Sequence, residues 1–232
     1  MADGKLGVWI VGASGNVATT AIVGLAALAR GIAPRVGLVT ELPLFESLGL
    51  VSWDALVVGG HEIREPRILA AARELAAQHV VPLELVETCR EELEAIESRV
   101  QPGIAYGCGR AIRQLAEVPL VDDDVAPWSL VEQVMEDLKK FQTANKLDRV
   151  IVVNLASTEP PTPAGLPESW RACRDALGQR GAEGVRASTL YAIAAFQLSF
   201  PYINFSPSAG ASPTAAQELA LERGVCHAGQ DG

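Results

Sequence analysis

Residues 6–30 read LGVWIVGASGNVATTAIVGLAALAR, and the reading of this stretch decides the fold. Leu6–Val11 is an unbroken apolar run bounded by glycines, the pattern of a strand covered on both faces. From Val17 to Arg30 the chain is rich in Ala, Leu and Ile, which predicts a buried helix ended by Gly31 and Pro34. A strand, a tight glycine turn and a helix in succession open a βαβ unit.

Working outward, Val36–Thr40 and Ala55–Val58 read as short strands, and Pro66 opens a helix to about Gln78. Residues 88–127 form an irregular insertion with an acidic helix near Glu91–Arg99, the motif YGCGR, a further short helix and the acidic run Asp122–Asp124. A helix from Ser129 to about Asn145 follows, with Ser129 and Glu132 spaced for a capping box. Next comes a buried strand, RVIVVN, at 149–154. Helices near Glu168–Gln179 and Ala187–Ser199 precede a strand at Tyr202–Phe205, and Ser212-Pro213 starts a last helix ending near Gly224. This alternation predicts an α/β fold, a Rossmann-like, doubly wound and mostly parallel sheet, in a single domain over 1–232. In such a sheet ligands sit beyond the carboxyl ends of the strands.

The 232 residues are 49% hydrophobic and 20% charged, which excludes a disordered chain. The net charge is −9 with no Lys/Arg run, which argues against nucleic acid and anionic membranes as partners. Asp3 and the glycines around the first apolar run argue against a signal peptide. The uncharged stretch Ala187–Gln217 is broken by Pro201, Asn204 and Pro207, so it reads as buried and not as a membrane span. The cysteines form no CxxC pair and the histidines share no ligand spacing with them, so no metal site is expected and a reducing, cytoplasmic compartment fits. The cysteines read as small core residues, and His61 as a loop side chain.

Four places could carry chemistry. The turn Gly12-Ala13-Ser14-Gly15-Asn16-Val17 lies between strand and helix, where small residues would leave main-chain N–H groups free for a dinucleotide diphosphate. It departs from GxGxxG, because Ser14 and Val17 stand at the second and third glycine positions. An acidic residue for the adenosine ribose comes from Glu41, nearer the usual offset, or from Glu62, which follows the stronger strand and a Gly-Gly turn and is preferred. A carboxylate there favours NAD over NADP, although Arg64 stands two positions on. The run Asn154–Glu159, after RVIVV, either lines a nicotinamide site or satisfies loop backbone groups. Asn204–Ser212, after YINF, is either a second cradle or a Ser/Pro/Gly loop with Ser212 as a helix cap. No GxxxxGK motif and no GxSxG elbow occurs, which excludes P-loop and α/β-hydrolase chemistry, and no Tyr-x-x-x-Lys pair is present.

The blocks WIVGASGNVATTAIVG (9–24), GLVTELPLF (37–45), LVVGGHEIR (56–64), VNLASTEP (153–160), INFSPSAGASPTAAQELA (203–220) and HAGQDG (227–232) resemble the inositol-3-phosphate synthase family, in that family's order. The resemblance implies an NAD-dependent isomerase of inositol and phospholipid biosynthesis, cytoplasmic and homotetrameric, which converts glucose 6-phosphate to inositol phosphate. Oxidation, enolisation, intramolecular aldol closure and reduction would follow one another with no net redox change. Carried over by position, Gly12 to Val17 would hold the diphosphate, Glu62 the ribose, and Ala156, Ser157 and Thr158 the inner half of the cofactor. Asn204 and Ser206 would face the nicotinamide or the substrate, and Asp231 matches an aspartate beside the active site. Family members often carry Asp where this chain has Glu62.

In that family the chain continues past this aspartate into a lysine-bearing catalytic and tetramerisation region, whereas this sequence stops at Gly232. Its lysines, Lys5, Lys139, Lys140 and Lys146, match none of those motifs. The expectation is therefore NAD binding with turnover incomplete in the 232 residues alone; the alternative is a non-catalytic dinucleotide-binding module or subunit.

Overall fold

The computed structural model describes residues 4–65, 67–120, 124–162, 165–182 and 184–229. Its first half runs β1 (Leu6–Val11), α1 (Asn16–Ala29), β2 (Leu56–Glu62), α2 (Ile68–Ala77), α3 (Leu83–Thr88), α4 (Arg90–Glu97) and β3 (Val100–Pro102). The second half continues with α5 (Arg110–Leu115), α6 (Pro127–Asn145), β4 (Arg149–Asn154), α7 (Trp170–Leu177), α8 (Ala187–Gln197), β5 (Tyr202–Asn204), α9 (Thr214–Arg223) and β6 (His227–Gly229).

The strands form one parallel sheet in the order β3-β2-β1-β4-β5-β6. This is the doubly wound order, in which the chain reverses direction across the sheet between β1 and β4 and leaves a crevice there. The α/β, Rossmann-like expectation is what the structure shows. Side chains of β1 alternate between two cores: Trp9 and Val11 pack with α6, α7, α8 and α9, while Ile10 packs with α1, α2 and α4. Helix α8 is apolar on every side and buried from Ala187 to Phe196, as its lack of charge foretold. No helix among the described residues is long and apolar enough to cross a membrane.

Several local expectations are corrected. Val36–Thr40 forms turns and a short 3-10 segment with Val36 92% exposed, because β2 already occupies the edge of β1 that such a strand would need. Gly59-Gly60 is not a turn but the middle of β2, where a Cβ on Gly60 would lie 2.2 Å from the Ile10 carbonyl oxygen. Glycine there lets β2 press against the turn that follows β1. Helix α6 starts at Pro127, not Ser129; proline presets the first helical φ, and the Ser129 hydroxyl donates to the Ala126 carbonyl in place of a capping box. Residues 88–127 contain β3, and HAGQDG contains β6. Three of the cysteines are buried as expected, but Cys226 is exposed.

Candidate functional site

The turn after β1 is held by the end of β2. Gly12 has φ +83°, and a Cβ on it would lie 2.9 Å from Ala156 Cα, so glycine allows the turn to sit against the loop after β4. The Gly12 and Ala13 N–H groups donate to the His61 carbonyl at 2.9 and 3.1 Å, and Gly15 N–H donates to the Gly12 carbonyl at 3.0 Å. Ser14 N–H donates to Glu62 Oε2 at 2.9 Å. Four successive amides of the turn are thus consumed within the protein. The N–H groups left open at this turn are those of Asn16, Val17 and Ala18, which open α1 and carry no acceptor among the described residues.

Glu62 is buried at the carboxyl end of β2, and its Oε1 also accepts from Ile63 N–H at 3.0 Å. The Arg64 guanidinium lies over the same carboxylate, with Nε 3.4 Å from Oε1 and Nη2 3.3 Å from Oε2. Glu41, the competing candidate, lies near the amino ends of β1 and β2, in a hollow shared with Leu6 and Leu56, and accepts from Trp53 Nε1 at 2.7 Å and Arg35 at 3.2 Å.

Asn154 and Asn204 end neighbouring strands in register. Asn154 Nδ2 donates to Asn204 Oδ1 at 2.9 Å and to Ser206 Oγ at 3.1 Å, and Asn204 Nδ2 donates to the Ser208 carbonyl at 2.6 Å. These amides and the hydroxyl satisfy one another below the cleft floor, so Asn204 and Ser206 are buried behind the site and do not line it. Above them Asn154 Oδ1 accepts from Ala156 N–H at 3.3 Å and fixes the next loop. Glu159 in that loop accepts from Ser188 N–H at 2.9 Å and from the Ser188 hydroxyl, capping the N-terminus of α8. Burial pushes the Glu159 carboxyl above its ordinary pKa, and the Ser188 bonds oppose this.

His61 is not a loop residue: it is fully buried in β2, edge-on to Trp9. Ile104 N–H donates to the Tyr191 oxygen at 3.0 Å, and the Tyr191 hydroxyl shares a hydrogen bond with His61 Nδ1 at 2.9 Å. His61 Nε2 lies 3.4 Å from Asp137 Oδ2 and makes no hydrogen bond there among the described residues. Burial holds the imidazole below its ordinary pKa against the pull of Asp137.

Together these elements enclose a cleft of about 260 Å³ at the carboxyl edge of the sheet. Of the expected residues, Gly12, Gly15, Asn16, Glu62, Ala156 and Ser157 line it. Ala13 and Ser14 are buried in the turn, and Val17 and Thr158 are exposed outside the lining. Asp231 lies outside the described residues. Sequence reasoning did not single out the lining residues His61, Tyr191, Ser188 and the backbone at Gly103–Ala105, which converge from distant segments.

A family model described as myo-inositol-1-phosphate synthase, of its NAD-binding part, matches residues 6–232. The chain belongs to the myo-inositol-1-phosphate synthase family. Among curated relatives of this family, inositol-3-phosphate synthase 1 of Bacteroides thetaiotaomicron is 27% identical over 99% of this chain and 54% of its own length. A probable inositol 3-phosphate synthase isozyme 3 of Arabidopsis thaliana is 29% identical over 98% of this chain and 48% of its own. The chain thus spans about half the length of the curated relatives it matches. The crystal structure of inositol-3-phosphate synthase from Caenorhabditis elegans shares the fold with a TM-score of 0.82 at 24% identity, covering 98% of this chain and 49% of that one. A myo-inositol-1-phosphate synthase-related protein from Thermotoga maritima does so with a TM-score of 0.67 at 20% identity, covering 98% and 55%. The cofactor to which the synthase family model points is NAD, and the donor set here fits it. Unpartnered amides at the start of α1 suit a diphosphate, and a carboxylate at the end of β2 suits ribose hydroxyls.

Proposed function

We propose that this chain binds NAD in the cleft and acts as an inositol-3-phosphate synthase on D-glucose 6-phosphate, giving 1D-myo-inositol 3-phosphate. The observation that carries this reading is the meeting of the open first turn of α1, Glu62 and the Ala156-Ser157 loop around one crevice at the switch between β1 and β4. Held in this cleft, NAD would supply reversible hydride transfer with no net redox change. The chain's own residues orient it: the Asn16–Ala18 amides and the α1 dipole hold the diphosphate, on a turn shaped by Gly12, Ala13, Ser14 and Gly15. Glu62 accepts from the ribose hydroxyls, and Ala156 and Ser157 border the inner half, with Thr158 exposed beyond the lining. Asn204 and Ser206 work from behind, by holding the loop that carries Ala156, and Asp231 is assigned to the substrate side by the family resemblance alone. A cytoplasmic homotetramer serving inositol and phospholipid biosynthesis belongs to the same reading.

The test is direct. NAD at a hundredfold its dissociation constant adds about 2.7 kcal/mol to unfolding, read as a rise in Tm, and glucose 6-phosphate yields inositol phosphate without net NADH. No stabilisation by NAD overturns the proposal. One observation favours a second reading, a non-catalytic dinucleotide-binding subunit: Lys5, Lys139, Lys140 and Lys146 all lie outside the cleft lining, so no lysine there can stabilise an enolate. NAD binding with no inositol phosphate formed supports that second reading.

A further inference from the structure

Resting on the dinucleotide reading, we infer that Arg64 turns the ribose end of the cleft into a site for a 2′-phosphate, so that the chain binds NADP as well as NAD. In this fold an acidic residue at the end of β2 takes the ribose 2′-hydroxyl and repels a phosphate there, whereas a nearby arginine accommodates that phosphate. Here both stand together. Glu62 and Arg64 line the cleft side by side, and the guanidinium spans both carboxylate oxygens at 3.4 and 3.3 Å. The charge that would exclude a phosphate is therefore balanced at the point of contact.

The surroundings single out Arg64 as the group that can turn toward a ligand. The neighbouring cation, Arg67, is held by Glu65 at 2.9 Å and by Glu117 at 3.4 Å. Among the described residues, Glu62 is the one carboxylate partner of Arg64, and the Arg64 side chain is 43% exposed. Glu62, by contrast, is anchored by the Ser14, Ile63 and Arg64 backbone N–H groups and keeps these three acceptor bonds when the Arg64 guanidinium swings away. The carboxylate stays with the turn while the guanidinium is free to follow a phosphate. A guanidinium presents a planar fork that matches phosphate oxygens in pairs.

The experiment is calorimetric titration of the full chain and its Arg64→Ala, Arg64→Lys and Glu62→Gln variants with NAD and with NADP. The wild type is expected to bind the two within about tenfold of each other. Arg64→Ala raises the ratio of the NADP to the NAD dissociation constant by about tenfold or more, the loss of a charge-assisted pair. Arg64→Lys restores part of it, and Glu62→Gln lowers the ratio. A wild type that binds NAD but holds NADP a hundredfold more weakly overturns the role of Arg64 and leaves the NAD reading standing. So does an unchanged ratio in Arg64→Ala. A wild type that binds neither nucleotide overturns both.

Discussion

The backbone N–H of Ser14 donates to the carboxylate of Glu62 across 2.9 Å, tying the turn after β1 to the last residue of β2. One side chain thereby shapes the turn and, in the proposed reading, also offers an acceptor to the ribose. Glu62→Ala leaves the Ser14 and Ile63 amides without that acceptor and is expected to cost roughly 1–3 kcal/mol of stability, measured by urea denaturation. Glu62→Gln keeps an acceptor and should recover much of the stability while still weakening NAD. A Glu62→Ala variant as stable as the wild type would show that the bond carries no weight.

Gly12→Ala places a methyl group 2.9 Å from Ala156 Cα at a φ of +83°. Both the conformation and the contact oppose it. The expected loss is about 1–3 kcal/mol, together with weaker NAD binding, since the loop bearing Ala156 and Ser157 must retreat. Thermal unfolding with and without NAD separates the two effects.

His61 and Glu159 set opposite limbs of the stability profile. The imidazole is held below its ordinary 6.5, so the unfolded chain binds more protons than the folded one below that pH, and stability falls as acid is added. One such group gives a slope of up to about 1.4 kcal/mol per pH unit. The carboxyl of Glu159 is held above its ordinary 4.5, so its contribution is complete below that value and is lost as pH rises through the folded value. His61→Phe should flatten the fall below pH 6.5, and Glu159→Gln should remove the loss above pH 4.5. Denaturation series over pH 4–8 check both, and unchanged slopes would refute the assignment.

The thiols should separate by access. Cys226 is exposed, whereas Cys89, Cys108 and Cys173 are buried, and burial pushes the Cys173 thiol up to about 11. A neutral-pH thiol reagent is expected to label one cysteine quickly in the native protein and the others only on unfolding. Fast labelling of Cys173 in the folded chain would contradict this packing.

What could be read from the sequence follows the length of each apolar run. LGVWIV, RVIVVN and the uncharged helix from Ala187 declare themselves because each buries many side chains and is bounded by glycine, proline or a charge. VQP and HAG carry no such pattern; they are strands because β2 and β5 present open edges to them. VGLVT has strand composition but no edge to join. Chain topology alone brought Gly12, Glu62 and Ala156 to one crevice, as expected. The outcome for Asn204 was hidden, because only the register Asn154↔Asn204 reveals that these two amides satisfy each other. Nor can spacing show that Glu159 meets Ser188 at the start of α8.

The bonds from Gly12, Ala13 and Ser14 to the end of β2 are made wholly within the protein and ask nothing of a ligand, so the fold itself moulds the seat. An arriving dinucleotide does not have to order this segment, and little of its contact energy is lost to chain entropy. Rapid capture and slow exchange of these three amides in the empty protein are the kinetic signature of such preorganisation.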